Sequence, residues 1–100
     1  MNISRTQVEG KIAFALEGRL DTTTAPQLEA ALIPAFEEAG VVTLNFAKLE
    51  YVSSAGLRVL LIGQKEAKKR NAFMVVSNVS NEIMEVLEMT GFADMLTIVR

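Results

Sequence analysis

The 100-residue chain contains no cysteine, no histidine and no tryptophan. Without cysteine there is no disulfide, no thiolate nucleophile and no thiolate metal site. Without histidine, the commonest general base and the commonest neutral metal ligand are both missing. Together these absences exclude Ser-His-Asp and Cys-His catalysis, zincin sites and phosphohistidine relays. A Ser-Lys pair using Lys48 or Lys65, carboxylate chemistry, or no catalysis at all are what is left. Aromatics are scarce, with one Tyr and five Phe, and ten Lys and Arg are set against twelve Asp and Glu for a net charge of −2. Neither the basic footprint nor the stacking platforms of a nucleic-acid binder are present. No apolar run approaches the roughly 18 residues of a membrane span. The opening MNISRTQVEG lacks the apolar core of a signal peptide, so the expected location is the cytoplasm, without membrane insertion.

What is present reads as one globular domain, residues 1–100. Half the residues are hydrophobic and 22% are charged, a balance unlike that of disordered chains. A chain of this size buries about 60–65% of its unfolded surface, too little to enclose a large internal active site.

Strand and helix patterns alternate. Residues 3–8 and 11–17 predict two strands joined at Glu9-Gly10, with Ile12, Phe14 and Leu16 alternating against Lys11, Ala13, Ala15 and Glu17. A polar connection follows from Gly18 to Pro26, in which Thr24 and Gln27 fit a capping box and Pro26 suits a first helical turn. Leu28, Ala31, Leu32, Ala35 and Ala39 share one helix face, which Pro34 kinks unless it breaks the helix, and which stops at Gly40. Residues 41–46 read as a buried central strand, 47–50 as a loop and 54–70 as a helix. A second buried strand over 72–77 leads to a helix over 81–89, capped by Ser80, turning Ile83, Val86 and Leu87 inward and stopped by Gly91. Phe92–Leu96 is a short turn or helix and Leu96–Val99 a last strand. The Met residues read as core fillers. The expected fold is therefore α/β: a mixed, mostly parallel sheet of four to five strands with an N-terminal hairpin, packed against three to four helices.

The informative segment is LEYVSSAGLRVLL, residues 49–61. Two serines stand where a strand gives way to a helix, and glycine follows two residues later. On a helical wheel Leu57, Leu60, Leu61 and Gln64 lie on one side, flanked by the small residues Gly56, Gly63 and Ala67. Ala55, Arg58, Ile62, Glu66 and Lys69 lie opposite, with a stray Ile on this exposed face. Lys65, Lys68, Lys69 and Arg70 form a solvated basic end. Ser53 or Ser54 is a natural N-cap. Ser54 also reads as an exposed hydroxyl able to accept a phosphoryl group, because a helix N-terminus favours an anion and Arg58 follows four residues on. The stretch lacks the first glycine of a G-x-S-x-G elbow, and no G-x-x-x-x-G-K-[ST] or G-x-G-x-x-G loop occurs. Asp21 reads either as a turn residue ahead of a helix or as a carboxylate that orients a partner or the serine.

At these segments the chain resembles the STAS domain, named from sulfate transporters and anti-sigma factor antagonists. The resemblance rests on Gly18-Arg19-Leu20-Asp21-Thr22-Thr23-Thr24-Ala25, on Val42–Phe46, on Leu49–Leu61, and on Val86-Leu87-Glu88-Met89-Thr90-Gly91-Phe92. Covering nearly the whole chain, it implies a free-standing bacterial anti-sigma factor antagonist rather than the cytoplasmic tail of a transporter. In that family a D-S-[ST]-G-L motif carries the phosphorylated serine. Aligned on Gly56-Leu57, that serine is Ser54, while Ser53 stands at the motif Asp, Ala55 at the following Ser/Thr, and Asn45 where many members have Asp. Asp21 matches the family's acidic residue near the phosphorylation site.

The resemblance implies partner switching. The unphosphorylated antagonist binds an anti-sigma factor that is also a GHKL-type serine kinase, and so frees the sigma factor. The kinase phosphorylates Ser54 and releases the antagonist, and a PP2C-type phosphatase resets it. The partner-binding surface is then Asp21, Thr22, Ser53, Ala55, Gly56, Arg58 and Ile62. The domain is expected to be a monomer with no catalytic residue, metal or cofactor of its own. The alternative is a STAS adaptor or scaffold subunit of a transport or signalling assembly that is never phosphorylated.

Overall fold

The computed structural model describes residues 1–99. Its order is β1 (Asn2–Val8), β2 (Lys11–Leu20), α1 (Ala25–Ala35), β3 (Val41–Val52), α2 (Ser54–Lys69), β4 (Phe73–Ser77), α3 (Asn81–Met89), α4 (Phe92–Met95) and β5 (Thr97–Val99). The five strands lie in the sheet in their order along the chain. β1 runs antiparallel to β2, and every later pairing is parallel. The expected hairpin, mixed sheet and helix count are all found. Gly10, at φ 75, closes the hairpin in a conformation that other residues resist.

Each crossover steps one strand in the same direction, so right-handed connections put the helices on one face of the sheet. Burial agrees: Ile12, Phe14 and Leu16 of β2, Val42, Leu44 and Phe46 of β3, and Met74 and Val76 of β4 are buried. Their neighbours Ala13, Thr43 and Val75 pair across the opposite face and stay partly exposed. The expectation of a fully buried central strand is corrected here: β3 is central, but one of its faces looks to solvent.

The expected loop at 47–50 is strand as well. β3 pairs with β2 through two register shifts, Ala15↔Asn45 to Glu17↔Lys48 and Gly18↔Leu49 to Arg19↔Tyr51. Each shift leaves one extra residue on β3, so its buried positions run 42, 44, 46, 49 and 52. Bulges break strict alternation, and the broken alternation reads as a loop in the sequence. Likewise β2 continues through Gly18-Arg19-Leu20, which the sequence had assigned to a connection; Gly18 sits at φ 106, where glycine is favoured.

The first helix also differs from expectation. It ends at Ala35, one residue after Pro34, and Phe36, Glu37 and Glu38 bond three residues back rather than four. Pro34 therefore costs its hydrogen bond in the last turn, and the chain leaves the helix instead of kinking. Gly40 donates to the Gly10 carbonyl and so opens β3. At the end of α2, Asn71 takes φ 56 and the Ala72 N–H reaches the Ala67 carbonyl, a left-handed cap. In α3, Ser80 caps by accepting from the Ile83 N–H at 3.2 Å, as expected; Ile83, Met84 and Leu87 are buried while Val86 is half-exposed. Met74 and Met84 fill the core, but Met89 is 85% exposed and fills nothing.

Candidate functional site

The C-terminal ends of β2 and β3 deliver two turns side by side. At the end of β3 the Ser53 N–H donates to the Leu20 carbonyl at 2.9 Å, which ties the start of α2 to the end of β2. Ser53 is the N-cap: extended at φ −97, ψ 176, its hydroxyl accepts from the Gly56 N–H at 3.4 Å. Gly56 is needed for this approach. A Cβ there would sit 2.6 Å from Leu20 Cγ and 2.9 Å from Val52 Cγ2. Capping by Ser53 leaves Ser54 as the first helical residue, exposed, its hydroxyl without a hydrogen bond to any described residue.

The second turn is organised by Asp21. Its Oδ1 accepts from the Thr23 and Thr24 N–H groups at 3.0 and 3.2 Å and from Thr24 Oγ1 at 3.3 Å. The Thr24 N–H, aided by Thr23, the Thr24 hydroxyl and Arg19, holds the Asp21 carboxyl below its ordinary value against the opposing effect of desolvation. Arg19 lies 3.8 Å from the other carboxylate oxygen and stacks its guanidinium 4.1 Å from the Tyr51 ring centroid. The capping box expected of Thr24 and Gln27 is not formed. Thr24 instead accepts from the Asp21 N–H at 2.8 Å and donates to the Arg19 carbonyl at 2.7 Å, while Gln27 donates to the Met1 carbonyl at 3.1 Å. Asp21, three residues earlier, supplies the acceptor that the box would have provided.

Between α1 and α2 these turns open onto a groove of about 660 Å³ lined by Thr22, Ala25, Pro26, Glu29, Ser54, Ala55, Arg58, Val59 and Ile62. Thr22, Ser54, Ala55, Arg58 and Ile62 of the expected surface are thus brought together. Asp21 and Ser53 stand behind them as the residues that build the two turns, and Gly56 is buried against Leu20 and Val52. The helical wheel needs one adjustment: Val59 is buried, whereas Leu61 and Gln64 are only half-covered. The sequence missed Pro26 and Glu29 as groove residues, and Arg19 with Tyr51. Pro26 and Glu29 could have been found from their three-residue spacing on α1.

Neither lysine considered as a partner for Ser54 stands beside it in the groove. Lys48 lines a different hollow, with Ser4, Glu17 and Asn45, and Lys65 lies eleven residues along α2, roughly 16 Å away. Among the described residues no group of three carboxylate, His or Cys side chains could hold a metal ion. None of the described helices is long and apolar enough to cross a bilayer.

Fold and site together define a small, single-sheet α/β domain that displays one serine at a helix N-terminus. The chain belongs to the STAS domain family, whose model matches residues 2–100. It is 31% identical over 93 residues to BtrV of Bordetella bronchiseptica, covering 92% of this chain and 80% of that protein. It is 26% identical over 98 residues to the anti-sigma-B factor antagonist of Bacillus subtilis, covering 98% and 90%. Among solved structures it resembles the anti-sigma factor antagonist SpoIIAA in its unphosphorylated form, with a TM-score of 0.79 and 18% identity over 99% of this chain and 88% of that one. The phosphorylated form of SpoIIAA gives a TM-score of 0.77, at 18% identity over 99% and 92%.

Proposed function

We propose that this protein is an anti-sigma factor antagonist switched by phosphorylation of Ser54. Its unphosphorylated form binds an anti-sigma factor that is also a GHKL-type serine kinase. Phosphorylation releases it, and a PP2C-type phosphatase restores it. The protein acts as a monomer in the cytoplasm and carries out no catalysis of its own. The observation that carries this reading is the exposed Ser54 hydroxyl, free of internal hydrogen bonds, on the wall of a groove between two helices. The relatives named for antagonism of anti-sigma factors support the same reading.

Magnitudes say how the switch works. A phosphate at an exposed helix N-terminus gains about 0.3–1 kcal/mol from the dipole, which leaves the fold intact. A hundredfold change in affinity needs about 2.8 kcal/mol. A roughly doubly charged group in a docked interface costs several kcal/mol when no cation receives it. Arg58 shares the groove but carries a single positive charge, so a phosphate of charge about −2 leaves roughly one negative charge for a docked partner to meet. The phosphorylated and unphosphorylated forms of SpoIIAA share one fold with this chain, in keeping with a switch that acts on docking. Ser54→Asp is expected to weaken binding to the anti-sigma factor at least tenfold and to leave Tm within a few degrees. Titration calorimetry and thermal melts check both, and equal affinity for the wild type and the variant overturns the reading.

A further inference from the structure

Helix α1 has one charged residue, Glu29, among its eleven. Its inward stripe is Ala25, Leu28, Leu32 and Ala35, yet its outward positions Pro26, Ala30, Ile33 and Pro34 are apolar as well. A helix apolar on both sides belongs in a covered position. Here Pro26, Ala30 and Pro34 are exposed and Ile33 is half-exposed. Their spacing, 26, 29/30 and 33/34, makes one ridge, which lines a second hollow of about 480 Å³. That hollow shares Pro26 and Glu29 with the Ser54 groove, so the two form one surface. Ala55, Arg58, Val59 and Ile62 of α2 make the facing ridge. Glu29 and Arg58 carry opposite charges in this groove, and neither pairs with any described residue.

We infer that the outward ridge of α1, Pro26, Glu29, Ala30, Ile33 and Pro34, is a second half of the anti-sigma factor's docking surface. The inference rests on the reading of Ser54 given above and adds what that reading lacks, the source of affinity. The occupant is a face of the anti-sigma factor that presents an apolar contact to Ala30, Ile33 and Ile62, flanked by a cation for Glu29 and an anion for Arg58. Continuity with the Ser54 groove makes it the same partner, and the unpaired opposite charges set its register and exclude partners of the wrong pattern. Ile33 lies seven residues beyond Pro26, roughly 10 Å along the helix, which exceeds the Debye length of about 8 Å at physiological salt. The apolar end of the ridge therefore contributes much the same affinity whether or not Ser54 is charged, while the serine end provides the switch.

The test uses the anti-sigma factor captured by the wild-type chain, identified, purified and titrated against variants of the full chain. Ala30→Arg, at an exposed position, and Ile33→Glu are each expected to weaken binding about tenfold or more. Glu29→Lys and Arg58→Glu each weaken it severalfold. Thr6→Glu, on the uncovered face of the sheet, stays within about twofold of wild type. Melting curves verify that each variant is folded, and Ala30→Arg carries the test if Ile33→Glu unfolds. If Ala30→Arg binds within about twofold of wild type while Ser54→Asp loses binding, the α1 ridge is not part of the interface and the reading of Ser54 stands. Wild-type affinity in Ser54→Asp removes both.

Discussion

Two positions where the STAS pattern carries Asp hold other residues here, and the structure shows what they do. Ser53 accepts from the Gly56 N–H, and Asn45 Oδ1 accepts from the Ala47 N–H at 2.9 Å and from Asn78 Nδ2 at 3.0 Å. Both jobs need an acceptor oxygen, which Ser and Asn supply as Asp would. Ser53→Ala should therefore lose about 0.5–1 kcal/mol of stability, the low end for a cap because its bond is long; chemical denaturation measures it, and an unchanged midpoint means the cap is idle. Asp21 is different, because its charge is held by the turn. A carboxyl whose folded pKa is lowered contributes stability that is present above its unfolded value, about pH 4, and lost as pH falls through the folded one. Asp21→Asn keeps an oxygen acceptor but cannot titrate, so its melting temperature should fall less steeply with acid below about pH 4 than that of the wild type. Parallel curves would leave Asp21 without a share in acid stability.

At the scale of elements, close approach is what places α2. A Cβ at Gly56 would meet Leu20 Cγ and Val52 Cγ2, buried side chains at the ends of β2 and β3, whereas a Cβ at Gly63 would meet Leu32 Cδ2 at 2.7 Å and Met74 Sδ at 2.9 Å. Those latter atoms lie toward the ends of side chains that can turn aside. Both substitutions to Ala gain helix propensity of up to about 1 kcal/mol. Gly56→Ala should nevertheless be destabilising by roughly 1–3 kcal/mol through overpacking at a branch point, and Gly63→Ala distinctly less so. Denaturant midpoints for the two proteins decide it, and equal effects would show that the N-terminus of α2 has room to move. The bulged β3 is the other element that matters. Its two extra residues carry the strand on to Val52, so that α2 starts beside the Asp21 turn.

Across the whole molecule, helices cover one face of a five-stranded sheet and the Ser54 groove lies between two of those helices. The sheet's parallel core is continuous from β2 to β5, and the residues lining the Ser54 groove all belong to the turn after β2, to α1 and to α2. A charge at Ser54 should therefore disturb only its surroundings. Backbone amide shifts in Ser54→Asp are expected to change over residues 19–26 and 53–62 and to stay constant in β1, β4 and β5. Changes spread across the sheet would mean that the switch remodels the fold instead of the interface.

Hydrophobic periodicity, helix-start chemistry and the 49–61 segment by themselves determined the hairpin, the alternating elements, the serine at a strand-to-helix turn and its groove neighbours Ala55, Arg58 and Ile62 on α2. These are local signals, carried by residues one to four positions apart. What the tertiary structure decided was long-range. It chose Asp21 over Thr24 and Gln27 to organise the turn before α1, because the Thr24 hydroxyl oxygen faces back to accept from the Asp21 N–H while its proton goes to the Arg19 carbonyl. It turned an apparent loop into bulged strand, because β2 pairs with it. It also left the outward face of α1 apolar and uncovered, since with every helix on one side of the sheet no second layer lies beyond that ridge.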